Sequence, residues 1–426
     1  MDFQKIYEPK LHETLYFGTH ESGLDIFVLS KPGFCKKYAI YSVKYGSIDT
    51  AYLVDGQEIN DPMGIAHFLE HKLFELSGGG NAFDLFSKTG GNANAFTSHD
   101  MTGYLFSCSD HFSENLEILL SYVNDPYFTA ENVQKEQGII AQEIKMYDDD
   151  PEWCVFNQAL RALYHTNPVR NDIAGTVESI SHITKDLLYR VYDTFYHPEN
   201  MVLFVAGDVS LDDISRLADR SVKPRVAPFC VQRKIYPEPE QVQQKQITTE
   251  MSVSQPSFIL GFKDNHPGLV GKELLLKNME TVLLLKMLFS PSAPLYNELY
   301  RKGIINDTFG FDCMNSDTYF VTLLNGEVKD VDCAVDAVLQ GIRLAQERGF
   351  DRQEVQRYKK AALGRQIRTF DSIESVANGF SANYFYGIGA FDFLKIYPKI
   401  TKESLQLRMK EIFNEHYAVS IVKPAV

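Results

Sequence analysis

Short stretches in which apolar and polar residues alternate predict β-strands in the first half of the chain. These stretches are 24–29, 38–45, 93–97, 103–107 and 201–207. Longer segments with apolar residues three and four positions apart predict helices. They cover 64–75, 115–122, 130–146, 153–164 and 185–196. This succession of strands, helices and a closing strand is typical of an α+β domain.

A stretch rich in proline, glutamine and charge, residues 221–245, has the composition of a linker. Beyond it the same order of elements begins again. Strands are expected at 257–262, 308–311, 319–324 and 418–422, and helices at 272–289, 331–347 and 352–370. The sequence therefore predicts an α+β protein with two structurally repeated α/β sandwich domains, each with a mixed or antiparallel sheet packed against helices. We place the domains at 1–225 and 246–426 and the linker at 226–245.

Composition narrows the classes of partner. The 426 residues, 44% hydrophobic and 23% charged, fit a globular protein of two domains. The net charge is −14, which would repel a phosphate backbone, so nucleic acid is not expected as a partner. The first residues lack the pattern of a signal peptide and no stretch has the length of a membrane span, so we expect a cytoplasmic protein without a membrane partner. The six cysteines include no Cys-x-x-Cys pair, which argues against a thiolate metal site.

The motif His67-Phe68-Leu69-Glu70-His71 carries the first candidate chemistry. On a helix, histidines at positions i and i+4 share a face and can bind one metal ion. Glu70 lies on the same face, where a carboxylate could take a proton from a metal-bound water. An exposed polar face without any metal is the alternative. A third ligand would favour the metal site.

Glu136 and Glu143 are candidates for that ligand. They are seven residues apart on a predicted helix and therefore project along one stripe, beside Ile139 and Ile140. Buried carboxylates need a partner, and a cation is one. Taken alone, the pair fits a solvated acidic stripe better than a metal site.

These motifs resemble those of the inverzincin metallopeptidases, the insulinase/pitrilysin family. Its signature is His-x-x-Glu-His, followed about seventy to eighty residues later by a liganding glutamate. Here His71 and Glu143 are 143 − 71 = 72 positions apart. The resemblance implies a metallopeptidase fold of the processing-peptidase type and one Zn²⁺ per chain. It makes His67, His71 and Glu143 the zinc ligands, Glu70 the general base, and Glu136 a carboxylate that supports the site.

The resemblance extends beyond the metal motif. Asn94-Ala95-Phe96-Thr97 is similar to the family's edge strand beside the active-site cleft. This implies that Asn94, Ala95 and Phe96 bind the substrate, which would add to the strand by main-chain hydrogen bonds. The match is strong over about residues 20–210 and is a match of architecture over 250–426.

One segment departs from the family pattern. Family members use an Arg and a Tyr from the second domain at the scissile carbonyl, in a segment that corresponds to Leu299-Tyr300-Arg301-Lys302. Tyr300 stands where the Arg is expected, and no Tyr follows at the expected place. We therefore expect a heterodimer in which a homologous subunit supplies the Arg/Tyr pair. The alternative is a homodimer in which Arg301 takes this role.

The resemblance implies a zinc metalloendopeptidase that hydrolyses peptides or short unfolded segments, as the catalytic subunit of a two-chain enzyme. Two alternatives remain open at this stage. One is a non-catalytic structural or regulatory subunit of the same fold. The other is a zinc hydrolase that acts on a different bond.

Overall fold

A computed structural model describes residues 1–225 and 227–425 of the chain. Val226, the first residue of the predicted linker, and Val426, the last residue of the predicted second domain, lie outside the described residues. The described residues group into two compact units. Their strands, in chain order, are β1 (Gln4–Glu8), β2 (Glu13–Thr19), β3 (Asp25–Ser30), β4 (Lys37–Val43), β5 (Ala51–Val54), β6 (Gln57–Asn60), β7 (Asn92–Thr97), β8 (Thr102–Cys108), β9 (Met201–Gly207), β10 (Val231–Arg233), β11 (Gln246–Met251), β12 (Ser257–Lys263), β13 (Gly310–Asn315), β14 (Phe320–Glu327) and β15 (Tyr417–Pro424).

The helices separate and cover these strands. In chain order they are α1 (Ile65–Leu73), α2 (Ala82–Thr89), α3 (Phe112–Asn124), α4 (Ala130–Asp148), α5 (Pro151–Leu163), α6 (Val177–Ser181), α7 (Lys185–Phe195), α8 (Leu211–Ser221), α9 (Gly271–Phe289), α10 (Pro294–Arg301), α11 (Val331–Arg348), α12 (Arg352–Arg368), α13 (Ile373–Tyr384), α14 (Asp392–Ile396) and α15 (Lys402–Ile412). No helix in the described ranges combines the length and the apolar character that crossing a membrane requires.

The first unit is built on a seven-stranded sheet with the order β1-β2-β3-β9-β4-β8-β7. The strands β3 and β9 run parallel, and the other neighbours are antiparallel. All residues of β9 are buried, as expected for a central strand with both faces covered. The helix α3 packs on β4 and β8, and α1 lies against β7 and β8. The sheet therefore ends at β7, next to the helix that carries the two histidines.

The second unit is built on a five-stranded sheet with the order β11-β15-β12-β14-β13. Only β11 and β15 are parallel neighbours among these described strands. The helix α15 packs against α9 and α11, which contact β13 and β12 respectively, and α5 packs on β12 and β15. Both units are thus sheets packed against helices, and the predicted α+β class with sandwich architecture is confirmed.

The compact units are not continuous along the chain, unlike the predicted domains 1–225 and 246–426. Lys145–Asn171 belongs to the second unit and Ile367–Phe385 to the first. The reason is packing. Gly261 of β12 leaves room for α5, because a Cβ at this position would lie 2.7 Å from Cδ1 of Leu163. The helix α13 packs on β4 and β9 of the first unit, where the ring of Phe380 contacts those of Phe27 and Phe204.

The predicted linker 226–245 also contains regular structure. Its residues Val231–Arg233 form β10, which joins β5 and β6 in a three-stranded sheet of the first unit. Arg233 Nε donates to Asp49 Oδ1 at 2.6 Å. The residues from Ile235 onward belong to the second unit.

Candidate metal centre

The helix α1 is anchored by its apolar side. Ile65, Phe68, Leu69 and Leu73 are buried in the core of the first unit. The helix begins after Gly64, whose φ of 87° places it in the left-handed region that favours glycine. A Cβ on Gly64 would lie 2.3 Å from the carbonyl oxygen of Ala174, so this start also requires the absence of a side chain.

Three potential metal ligands converge at this helix. His67 and His71 of α1 and Glu143 of α4 each offer a ligand atom within 4.8 Å of the others. Nε2 of His67 lies 3.7 Å from Oε1 of Glu143, and Nε2 of His71 lies 3.7 Å from Oε2. These distances are too long for hydrogen bonds. They are close to the distance of about 3.4 Å that separates two ligand atoms of a tetrahedral zinc ion. Two imidazoles and a carboxylate, with a gap of this size, fit such an ion.

Glu136 sets the orientation of His71. Its Oε1 lies 3.1 Å from Nδ1 of His71, and because a carboxylate only accepts hydrogen bonds, Nδ1 is the donor and Nε2 carries the lone pair. Burial would raise the pKa of Glu136, but the hydrogen bond from His71 and the charge of Lys72 outweigh it and lower this pKa. For His71, burial would lower the pKa, but the hydrogen bond to Glu136 and the surrounding carboxylates raise it.

His67 is held by packing instead. Its Nδ1 is buried without a hydrogen-bond partner among the residues the structure describes. Burial, helped by repulsion from His71, lowers the pKa of His67 to about 4. The imidazole is therefore neutral at physiological pH, the form in which histidine binds metal ions.

Glu70 is also on α1. It lies beside the three candidate ligands and is only 8% exposed. Its Oε2 accepts a hydrogen bond of 2.7 Å from Oγ1 of Thr97 in β7. Burial raises the pKa of Glu70, while the bond from Thr97 partly offsets the increase. A carboxylate with a raised pKa is a stronger base, so Glu70 is suited to accept a proton at this place.

The strand β7 is the edge of its sheet. Among the described strands it pairs only with β8, which leaves main-chain groups on its other side available for hydrogen bonds. Asn94 is exposed, and Ala95 and Phe96 are half-buried. The ring of Phe96 packs over Gly103 of β8, where a Cβ would lie 2.9 Å from it. On this strand the main-chain N–H of Ala95 donates to Oδ1 of Asn94 at 2.9 Å.

The sequence alone did not predict two residues that contact the candidate site. Thr97 belongs to the predicted edge strand but carries no predicted role, because its hydrogen bond to Glu70 depends on how β7 lies against α1. Lys72 carries no predicted role either, and its side chain is completely buried. The signal was a charged residue on the apolar face of the helix, seven residues after Ile65 and four after Phe68.

The segment that departs from the family's Arg/Tyr pattern lies at the end of α10. Tyr300 is 50% exposed. Arg301 donates from Nε to the main-chain oxygen of Asn297 at 3.1 Å, within its own helix. The second unit therefore presents both side chains near the end of one short helix.

Comparisons with known proteins agree with these motifs. Residues 56–177 match the model of the insulinase family, peptidase family M16, and this range includes all the candidate metal ligands. Residues 182–362 match the model described as the peptidase M16 inactive domain.

Similar proteins cover almost the whole chain. The uncharacterized zinc protease YmfH of Bacillus subtilis is 41% identical over 97% of this chain and 98% of its own length. The crystal structure of an M16-like peptidase from Alicyclobacillus acidocaldarius is 32% identical, covers 100% of this chain and 99% of that chain, and gives a TM-score of 0.92. The structure of pitrilysin, at 14% identity and a TM-score of 0.75, covers 99% of this chain but only 46% of the pitrilysin chain.

Proposed function

The chain belongs to the insulinase family of peptidases, family M16, and we propose that it is a zinc metalloendopeptidase that hydrolyses peptides or short unfolded segments. The observation that carries the proposal is the convergence of His67, His71 and Glu143, with Glu70 beside them. The name of the relative YmfH supports zinc as the ion.

The residues of this chain would act as follows. His67, His71 and Glu143 would hold one Zn²⁺, which when bound lowers the pKa of a water molecule to about 7 and polarises the peptide carbonyl. Glu70 accepts a proton as the water attacks and then passes it to the leaving amine. Glu136 keeps Nδ1 of His71 protonated.

The edge of β7 would bind the substrate as an added strand. Main-chain hydrogen bonds along Asn94, Ala95 and Phe96 read the extended backbone more than the side chains of a peptide. This mode suits unfolded segments, because a folded protein rarely offers a free extended strand. Thr97 at the end of the same strand links substrate binding to Glu70.

We further propose that the chain is the catalytic subunit of a two-chain enzyme. The support is Tyr300, which occupies the position of the expected Arg, and the absence of a following Tyr. A homologous partner would supply an Arg/Tyr pair to stabilise the developing oxyanion, a contribution of about 3 kcal/mol. The match to less than half of the pitrilysin chain is compatible with a protein that functions as a pair.

A non-catalytic role is the competing function for a protein of this fold. The description "inactive domain" applies to residues 182–362, whereas the candidate ligands and the base lie within 56–177. All of these side chains are present, and their geometry suits metal binding. These observations favour the enzyme over the scaffold.

The substitution Glu70→Gln tests the proposal. It keeps the size of the side chain and the metal ligands but removes the base, so we expect hydrolysis of an extended quenched peptide to fall at least about a hundredfold. Zinc content, measured by mass spectrometry, should stay at one per chain. A wild-type chain with its partner that binds zinc but cleaves no peptide would contradict the proposal, as would full activity of the variant.

A further inference from the structure

Lys72 follows His71 on α1 and its side chain is completely buried. A lysine is rarely found in this state unless its charge is paired. Its Nζ lies 2.5 Å from Oε1 of Glu75 and 3.5 Å from Oε2 of Glu136. The lysine therefore bridges two carboxylates.

These contacts belong to a network of ion pairs and hydrogen bonds that joins α1 to α4. Glu75 follows the end of α1, and its Oε2 accepts a hydrogen bond of 2.7 Å from Nδ2 of Asn132. Asn132 and Glu136 are one turn apart on α4. The two helices that carry the metal ligands are thus connected by Lys72 and Glu75 on one side and by Asn132 and Glu136 on the other.

Glu136 is the point at which this arrangement meets the metal centre. One of its oxygens accepts from Nδ1 of His71 and the other faces Lys72. We propose that Lys72 is a positioning residue that holds the Glu136 carboxylate against His71 and thereby increases the affinity of the site for its metal ion. The inference rests on the proposed zinc site.

The physical argument is one of orientation and charge. A buried carboxylate without a cation beside it is unfavourable, and it turns toward water. Glu136 would then accept the hydrogen bond from Nδ1 of His71 less well, and the imidazole would lose part of its alignment. Carboxylates that support liganding histidines typically contribute about ten- to a hundredfold to metal affinity. The positive charge of Lys72 alone would weaken cation binding, so the two effects oppose each other. Lys72 lies against Glu136 and Glu75, which screen its charge, and we therefore expect orientation to dominate.

A double-mutant cycle on the full chain tests this role. The zinc affinity of the wild type, Lys72→Met, Glu136→Gln and the double variant is measured by competition with a chromophoric chelator, together with the unfolding midpoint of each metal-free form. We expect Lys72→Met to weaken zinc binding about tenfold. The double variant should bind as weakly as Glu136→Gln alone, because Lys72 acts through Glu136.

Glu75→Gln is the matched control. It removes the other partner of Lys72 but leaves the bond between Glu136 and His71 intact, so zinc affinity should change by less than about threefold while the unfolding midpoint falls. If Lys72→Met does not fold, Lys72→Gln replaces it, because the amide keeps a donor without the charge; the same non-additivity is expected.

The outcomes separate the inference from the function on which it rests. Additive losses in the double variant, equal losses in Glu75→Gln and Lys72→Met, or an unchanged affinity in Lys72→Met would each overturn the inference. A wild-type chain that binds no zinc would instead overturn the proposed function.

Discussion

The reactivity of Glu70 depends on two opposing influences from its immediate neighbours. Burial disfavours the ionised carboxylate and raises its pKa, whereas the hydrogen bond from Thr97 favours the ionised form. The hydroxyl of Thr97 therefore influences both the strength of the base and the fraction of it that is ionised. This balance can be changed without touching any candidate metal ligand.

Thr97→Val removes the hydroxyl and keeps the branched shape of the side chain. Without the hydrogen bond the pKa of Glu70 rises further, so the acidic limb of the pH profile of kcat/KM should move to higher pH. We expect kcat near neutral pH to fall about tenfold, because the carboxylate loses the hydrogen bond, of about 1.4 kcal/mol, that orients it. Thr97→Ser keeps the hydroxyl and should retain the wild-type profile. An acidic limb that stays in place in Thr97→Val would contradict this account.

At the residue scale, only part of the candidate site could be predicted from the sequence alone. The spacing of His67 and His71 follows from helix geometry and predicts a shared face without any tertiary information. The approach of Glu143, in contrast, was assigned by resemblance, because its distance from the histidines depends on how α4 packs on α1. The contacts of Lys72 and Thr97 are tertiary in the same sense and left no periodic pattern that could predict them.

At the scale of elements, the start of α1 determines where the histidines lie. Gly64 has a positive φ and its Cα faces the main chain at Ala174, so a side chain would both strain the backbone and collide. We predict that Gly64→Ala lowers the free energy of unfolding by more than about 2 kcal/mol and weakens zinc binding.

Gly138 provides the control for this prediction. It lies within α4 and a Cβ there would meet nothing within 4 Å. Gly138→Ala should therefore raise the free energy of unfolding by about 1 kcal/mol through helix propensity. Urea denaturation of both variants measures the two effects, and a tolerated Gly64→Ala would show that the start of α1 is not constrained in this way.

A second element-scale feature is the anchoring of the predicted linker in the second unit. The Glu238 carboxylate accepts hydrogen bonds from the main-chain N–H groups of residues 165–167, and its Oε1 lies 2.7 Å from Nζ of Lys263. Burial would raise the pKa of Glu238, but these bonds outweigh it and lower the pKa to about 2.

The stability that Glu238 contributes should depend on pH in one direction. Its pKa is lower in the folded protein than in the unfolded chain, so its contribution is complete above the unfolded pKa of about 4.5 and is lost as the pH falls toward 2. We predict that Glu238→Gln reduces the free energy of unfolding by about 3 kcal/mol at pH 7, because the buried charge of Lys263 is left without an opposite charge and keeps only main-chain acceptors. The difference between wild type and variant should narrow below about pH 4.5. A difference that is constant down to pH 3, measured by urea denaturation, would refute this assignment.

The elements themselves were predicted unevenly. Long amphipathic segments such as α4, α9 and α11 follow from periodicity, and buried strands such as β9 from their apolar run. The hairpin of β1 and β2 was missed, because β1 is almost entirely exposed and shows no alternation of burial. The sheet of β5, β6 and β10 was also missed, since β10 pairs with a strand almost 180 residues earlier.

At the scale of the whole molecule, the chain builds two units of similar architecture but exchanges segments between them. Lys145–Asn171 and Ile367–Phe385 pack within the unit that is more distant along the chain. Composition indicated a boundary near residues 221–245, where the second half of the chain begins. Composition could not indicate the exchange, because α5 and α13 have ordinary amphipathic sequences. The sheet on which each helix packs is determined by the shape of the sheet surface, which depends on tertiary structure.

The predicted homologous partner can be tested on the whole assembly. If a homologous subunit supplies the Arg/Tyr pair, peptide cleavage by the isolated chain should be at least about a hundredfold slower than by the complex purified from the native host. Arg301→Ala should then leave the activity of the complex nearly unchanged. Full activity of the isolated chain, lost in Arg301→Ala, would instead indicate the homodimer.

The account depends most of all on one metal ion at His67, His71 and Glu143. Anomalous diffraction at the zinc absorption edge, from crystals of the zinc-loaded protein, tests this directly. We predict a single peak about 2.0–2.2 Å from an imidazole nitrogen of each histidine and from a carboxylate oxygen of Glu143. A peak at other side chains, or no peak at these three, would contradict the account.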